Sequence, residues 1–241
     1  MQNAPGSRSS LERALAPHGL RVRGGLIPNA SDGLPVLHEG ADAAVIWLVG
    51  QVGSECWTAF SSSPFYADGQ ADPMDRWAKA IGNPLAHALG GIAIYPSDGP
   101  PYHPFQRWAQ RAEPVQTSPL MLQIHPEYGL WHAYRFALVL PALLDQDARD
   151  IRQFPELPSP GICVQCDGQP CLSACPVQAF SVSGYDVDSC ATHLHRPEGQ
   201  PCMQTGCQAR RACPVGAQNR YAPEHAAFHM AAFANKRSEV V

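Results

Sequence analysis

Hydrophobic positions along residues 1 to about 154 fall into short runs that predict strands and helices in alternation. Ser9-Ser10-Leu11-Glu12 has the form of a capping box opening a short helix that stops before Pro17. Leu20–Ile27 and Ala43–Val49 predict strands, the second a continuous apolar run suited to burial on both faces. Asp72–Leu89 carries helical spacing, with Trp77, Ala80 and Ile81 on one side and a break expected near Pro84. Ile92–Tyr95 predicts a short strand and Pro104–Glu113 a short helix. Leu120–Leu140 predicts a β-hairpin within a larger sheet: two apolar runs flank His125-Pro126-Glu127-Tyr128-Gly129, and the second run alternates strictly.

The pattern changes at Gln153–Pro160, where three prolines in eight residues stop helices and remove ladder donors. Beyond this linker the chain becomes cysteine-rich loops and short helices. Helical periodicity returns only over Pro223–Asn235, whose Ala226, Met230 and Phe233 share a face able to cover the cysteine region. Two regions are therefore expected, 1–154 and 155–241, with an α+β fold class.

Composition adds mainly exclusions. Charged residues make up 16% of the 241 positions and apolar residues 45%, an ordinary folded balance. A net charge of −4 with scattered basic residues argues against a nucleic-acid partner. The longest apolar stretch, Phe136 to Leu144, is interrupted by Pro141 and too short to span a membrane, and Met1–Ser10 lacks the apolar core of a signal peptide. A cytoplasmic location is the expectation. In that reducing compartment dense cysteines bind metal more often than they form disulfides.

Eight of the nine cysteines fall between Cys163 and Cys213. They read Cys163-x2-Cys166-x4-Cys171-x3-Cys175-Pro176, then Cys190, then Cys202-x4-Cys207-x5-Cys213-Pro214. Ala174-Cys175-Pro176-Val177 recurs as Ala212-Cys213-Pro214-Val215, an internal echo of one turn. An iron–sulfur cube needs four thiolates aimed at one small volume. Closely spaced cysteines on a loop supply three, and the cysteine before proline is carried off to a second cluster, as in two-cluster bacterial ferredoxins. That crossing rule assigns Cys163, Cys166, Cys171 and Cys213 to one [4Fe-4S] cluster, and Cys175, Cys190, Cys202 and Cys207 to the other. Zinc is the competing reading, since Cys-x2-Cys pairs bind it tetrahedrally and His193 and His195 stand close to Cys190.

Residues 163–217 resemble the two-[4Fe-4S] ferredoxin-type module of epoxyqueuosine reductase and the corrinoid reductive dehalogenases. They depart from it in the x4 spacing before Cys171 and in the stretched segments on both sides of Cys207. In the N-terminal region, Ile124 to Arg135 (IHPEYGLWHAYR) resembles the His-Pro-x-aromatic-Gly-x-Trp stretch of the CblC-type cobalamin-processing proteins, relatives of the flavin nitroreductases. The two resemblances agree, because epoxyqueuosine reductase also joins a corrinoid-binding, nitroreductase-like domain to a two-cluster module. They imply a nitroreductase/CblC-like sheet-and-helix domain followed by a ferredoxin-like module. They also imply a corrinoid or flavin cofactor beside His125, Tyr128, Trp131 and Arg135, an electron-donor protein such as a reductase or flavodoxin, and a small-molecule substrate. A D-x-H-x-x-G motif for replacing the lower corrinoid ligand is absent from the sequence.

Three functions stay open on the residues alone. The chain is a corrinoid- or flavin-dependent oxidoreductase fed by two clusters, or a ferredoxin-like carrier with no further cofactor, or a zinc-stabilised interaction protein. A His-rich turn packed as a hydrogen-bonded hairpin is the plain alternative for His125–Arg135, and His225 with His229 forms an i, i+4 pair that could hold metal.

Overall fold

The computed structural model describes residues 7–37, 40–144, 151, 159–181 and 184–238. The chain is α+β and divides into two compact units, each drawn from more than one stretch of sequence. The first comprises Met1–Gln51, Glu55–Pro114 and Ala133–Glu156; the second takes Val52–Ser54, Val115–His132 and Leu157–Val241. The composition change near residue 154 thus marks one border only, because Val115–His132 belongs with the cysteine-rich part. Most of the linker expected over Gln153–Pro160 lies outside the described residues.

In the first unit α1 (Arg8–Leu15) starts from Ser7, whose hydroxyl accepts the Ser10 N–H at 3.2 Å, so the cap lies two residues before the expected Ser9. Leu11 and Leu15 of this helix are fully buried. β1 (Arg21–Leu26) runs antiparallel to β2 (Val45–Val52), and every residue of β2 is buried, as its unbroken apolar run demands. Three helices follow: α2 (Trp57–Ser61), α3 (Pro64–Ala67) and α4 (Pro73–Ala88).

Helix α4 continues through Pro84. The proline removes one backbone donor, and the buried Met74, Trp77, Ala78, Ile81 and Ala86 hold the helix on both sides of it. β3 (Ile92–Ile94) pairs antiparallel with β6 (His132–Leu140), and the sheet order is β1-β2-β6-β3. The Ala44 N–H bond to Leu140 O at 2.8 Å ties the β2 end to β6. α5 (Phe105–Ala112) packs on β1.

A buried ion pair crosses this unit. Arg23 Nε donates to Glu113 Oε1 at 2.9 Å, the side chains being 1% and 5% exposed. Tyr134 donates its phenolic hydroxyl to the other carboxylate oxygen, and the Arg23 guanidinium also lies 5.3 Å from the Tyr134 ring centre. Burial raises the Glu113 carboxyl above its usual range, and Arg23 and Tyr134 oppose the rise.

In the second unit β4 (Gln116–Thr117) and β5 (Gln123–Ile124) form a small antiparallel ribbon. The hairpin expected over Leu120–Leu140 is therefore not formed as read. The turn at 125–129 exists, closed by a His125–Gly129 bridge, but its first arm pairs with β4 while β6 pairs with β2 and β3. Turn residues fix a local bend; which strands then pair is decided by long-range burial.

Five helices follow: α6 (Pro170–Ser173), α7 (Val187–Leu194), α8 (Gln200–Thr205), α9 (Gln208–Ala212) and α10 (Pro223–Ser238), with the ribbon β7 (Phe180–Ser181)–β8 (Gly184–Tyr185) between α6 and α7. Met230, Phe233 and Ala234 of α10 pack against Leu194 and Cys202, whereas Ala226 joins Trp131 and Tyr221. No helix among the described residues is long and apolar enough to cross a membrane.

Replacing Arg23 by Met is expected to cost about 3–5 kcal/mol in urea unfolding, because Glu113 is left buried and unpaired. That deficit is largest at neutral pH. It shrinks as pH falls through the raised Glu113 value toward the ordinary carboxylate range, where the fold no longer holds an uncompensated charge. The double variant Arg23→Met/Glu113→Leu should recover most of the loss.

Candidate metal centre

Two short helices organise the eight cysteines. The loop before α6 carries Cys163 and Cys166 through tight turns: Val164 N–H donates to Gly161 O at 2.9 Å, and the Gln169 side chain reaches Cys163 O at 3.1 Å. Cys171 lies within α6, and Cys175 follows its C-cap Ala174. Cys207 is the N-cap of α9 and Cys213 its C-cap. α6 and α9 pack against each other, with the fully buried Ala209 allowing a close approach.

Cys163, Cys166, Cys171 and Cys213 line one small cavity of about 20 Å³, walled by Pro119, Ile124, Ile162 and Val215 among others. Burial pushes the Cys163 thiol up to about 11, and the neighbouring Cys213, Cys171 and Cys166 add to the rise. Cys171 is raised by burial, then by Cys213 and Cys166. Cys213 is raised by burial against a hydrogen bond from the Val215 backbone.

The other four cysteines form a second neighbourhood. Cys190 on α7 is raised by burial and further by Cys175 and Cys202, while a hydrogen bond from Tyr185 opposes the shift. Burial pushes Cys207 up to about 11, against backbone N–H groups of Arg210 and Ala209, with Cys202 and Cys190 adding to the rise. The Ala179 N–H donates to Cys175 Sγ at 3.3 Å. Each short helix therefore sends one cysteine to each neighbourhood: α6 sends Cys171 and Cys175, and α9 sends Cys213 and Cys207.

All nine cysteines are among the described residues and none is in a disulfide. Among the described residues no three His, Cys, Asp or Glu side chains converge closely enough for one metal ion. A tetrahedral zinc site needs its ligands about 2.0–2.3 Å from a single point. His193 is buried, its Nε2 lacking a hydrogen-bond partner among the described residues, and His195 is exposed at the end of α7. His225 and His229 face each other, Nε2 to Nε2 at 3.1 Å, and Ser54 Oγ lies 3.0 Å from His225 Nδ1.

The four residues expected beside a cofactor are divided between the units. His125, Tyr128 and Trp131 lie in the second, and Arg135 in the first. His125 Nδ1 accepts the N–H groups of Glu127 and Tyr128 at 3.1 and 3.2 Å, and its ring stacks on Tyr128 at 4.1 Å. Trp131 is 3% exposed, set edge-on to Tyr221 beneath the Arg210 guanidinium. Arg135 donates Nε to Gln51 Oε1 at 2.8 Å.

Sequence reasoning missed what holds the 125–129 turn beside the first cysteine set. Gly129 and Gly216 both have left-handed backbones, φ 60° and 63°. A Cβ on Gly129 would stand 1.9 Å from Val215 O, and one on Gly216 would stand 2.3 Å from the Tyr128 carbonyl carbon. The second Cys-Pro-Val turn and the His-Pro turn thus meet backbone to backbone. Arg210 was also missed, although it donates to Leu130 O at 3.2 Å through Nε and lies over both Trp131 and Tyr221. Its only signal in the sequence is membership of an Arg-Arg pair.

Neither the models of known protein families nor the curated protein sequences give a match to this chain.

Gly216→Ala should strain a left-handed position and drive a methyl group into the Tyr128 backbone. The expected outcome is a loss of about 2 kcal/mol or more in denaturant unfolding of the second unit. Ala217→Gly, one residue away, should cost less than half as much.

Proposed function

We propose that the chain is an iron–sulfur redox protein with two [4Fe-4S] clusters. Cys163, Cys166, Cys171 and Cys213 would hold one, and Cys175, Cys190, Cys202 and Cys207 the other. The observation that carries the reading is the division of eight cysteines into two neighbourhoods by α6 and α9, each helix contributing one residue to each. A cluster spreads its four thiolates over four irons, so its ligands stand wider apart than those of a single ion. Four cysteines lining one cavity support that reading.

When bound, the clusters supply one-electron transfer. The chain's own residues set the conditions for it. Backbone N–H groups aimed at sulfur, such as Ala179 at Cys175, draw electron density from the thiolate and tune the potential. Met230 and Phe233 of α10 lie on the Cys190–Cys202 side and keep water from the second set. Beside the first set, an open depression is lined by Pro126, Ile162, Gln165, Cys166 and Asp167, and the adjacent Val164 is 76% exposed. An electron-donor protein such as a reductase or flavodoxin would deliver electrons at this edge, in the cytoplasm, where thiolates stay reduced.

In the same reading the electrons pass to a corrinoid or flavin on a nitroreductase-like first unit, making the chain an oxidoreductase acting on a small molecule. One observation favours a second reading, that of a ferredoxin-like carrier with no cofactor beyond the clusters. His125, Tyr128 and Trp131 are already committed to turn hydrogen bonds and packing within the second unit.

Anaerobic purification is expected to yield a brown protein with about eight iron and eight acid-labile sulfide per chain. Stoichiometric zinc without sulfide would refute the reading. Titration of the purified protein with cobalamin and with flavin mononucleotide, followed by visible spectra, separates the enzyme from the carrier: a saturable spectral change supports the first, and none supports the second.

A further inference from the structure

A second feature stands in the first unit and owes nothing to the cysteine sets. Gln51, at the end of β2, is 0% exposed, yet its amide Nε2 has no hydrogen-bond partner among the described residues. Arg135 on β6 is joined to it by the 2.8 Å bond from Nε to Gln51 Oε1, and its own Nη2, also buried, has no partner either. Nη2 lies on the same edge of the planar guanidinium as Nε, the atom bonded to Gln51. A buried donor left unmatched costs about 1–3 kcal/mol, and more on a charged group. A guanidinium accepts nothing, and the Gln51 amide oxygen accepts from Arg135 Nε but not from Nη2.

Charge sharpens the identity of the missing group. Among the described residues no carboxylate lies within ion-pair distance of Arg135, whereas Arg23, Arg76 and Arg111 each have one. The neighbouring Cys56 thiol, fully buried, is pushed up by its burial, against the charge of Arg135 and a hydrogen bond between the two side chains. Glu55, the next residue, is engaged with Arg21. Arg135 as a whole is only partly buried, although its Nη2 and the Gln51 amide are enclosed.

We propose that Gln51 and Arg135 form a seat for one oxyanion, the carboxylate or phosphate group of a small molecule, with the amide and guanidinium N–H groups as paired donors. The geometry is that of a charge-assisted fork completed by a neutral donor.

The test uses the full-length protein, exchanged into an anion-poor zwitterionic buffer and titrated calorimetrically with inorganic phosphate in one arm and acetate in the other, at ionic strength fixed with chloride. Saturable binding of one anion per chain in either arm is expected, and the arm that binds tighter tells phosphate from carboxylate. Arg135→Met should weaken binding at least about tenfold, the loss of a charge-assisted hydrogen bond. Gln51→Glu places a carboxylate against Arg135 from within the chain. It should raise the unfolding temperature in anion-poor buffer and abolish the titration signal, so it reads the seat even if Arg135→Met fails to fold. Absence of saturable binding in both arms would overturn the proposal. So would a Gln51→Glu protein that binds phosphate or acetate as tightly as the parent. Neither result bears on iron content, so this seat and the cluster reading stand or fall separately.

Discussion

A helix of five residues cannot turn both of its ends toward one point. Cys207 and Cys213 cap α9, and at 1.5 Å per residue their backbones are about 9 Å apart along the axis. α6 is shorter still, yet it too carries one cysteine inside and one just beyond its end. α6 and α9 pack against each other; Cys163, Cys166, Cys171 and Cys213 share one cavity, and Cys190 and Cys207 both neighbour Cys202. Much of the second unit follows from that constraint. The loop at 161–169 brings Cys163 and Cys166 to the cavity; α7 and α8 carry Cys190 and Cys202. α10 then closes over the latter.

The cost of the arrangement is visible in the thiols. Burial and mutual proximity raise Cys163 and Cys207 to about 11, so without a bound cation the groups are neutral and their electrostatic demand is unmet. In the proposed reading metal binding would reverse that penalty by replacing protons with positive charge, and its free energy would become folding free energy. The first unit is stabilised differently, by an all-buried strand and by the Arg23–Glu113–Tyr134 network, and needs no metal for its core.

What the sequence disclosed depended on range. The fully buried β2 and the helical stripes of α4 and α10 were legible because they are periodic over a few residues. The repeated Ala-Cys-Pro-Val turn is likewise a local mark that the chain changes direction twice in the same way. Long-range choices were not. The turn at 125–129 was readable from Pro126 and Gly129, but nothing nearby says that β5 prefers β4 or that Gly129 must leave room for Val215. Gln51 and Arg135 are 84 residues apart, and their bond exists only because β2 and β6 are neighbours in the sheet. Pro84 misled in the opposite sense, since the burial of α4 outweighs a local breaking signal.

In the proposed two-cluster reading α9 divides its two cysteines between the clusters. The most direct measurement is the Mössbauer spectrum of iron-57-loaded protein carrying single Cys→Ser substitutions at positions 163, 175, 207 and 213. The crossing predicts that Cys213→Ser perturbs the same iron set as Cys163→Ser, and that Cys207→Ser perturbs the same set as Cys175→Ser. If Cys207→Ser and Cys213→Ser instead perturb one common set, the helix does not bridge two clusters and the account is wrong.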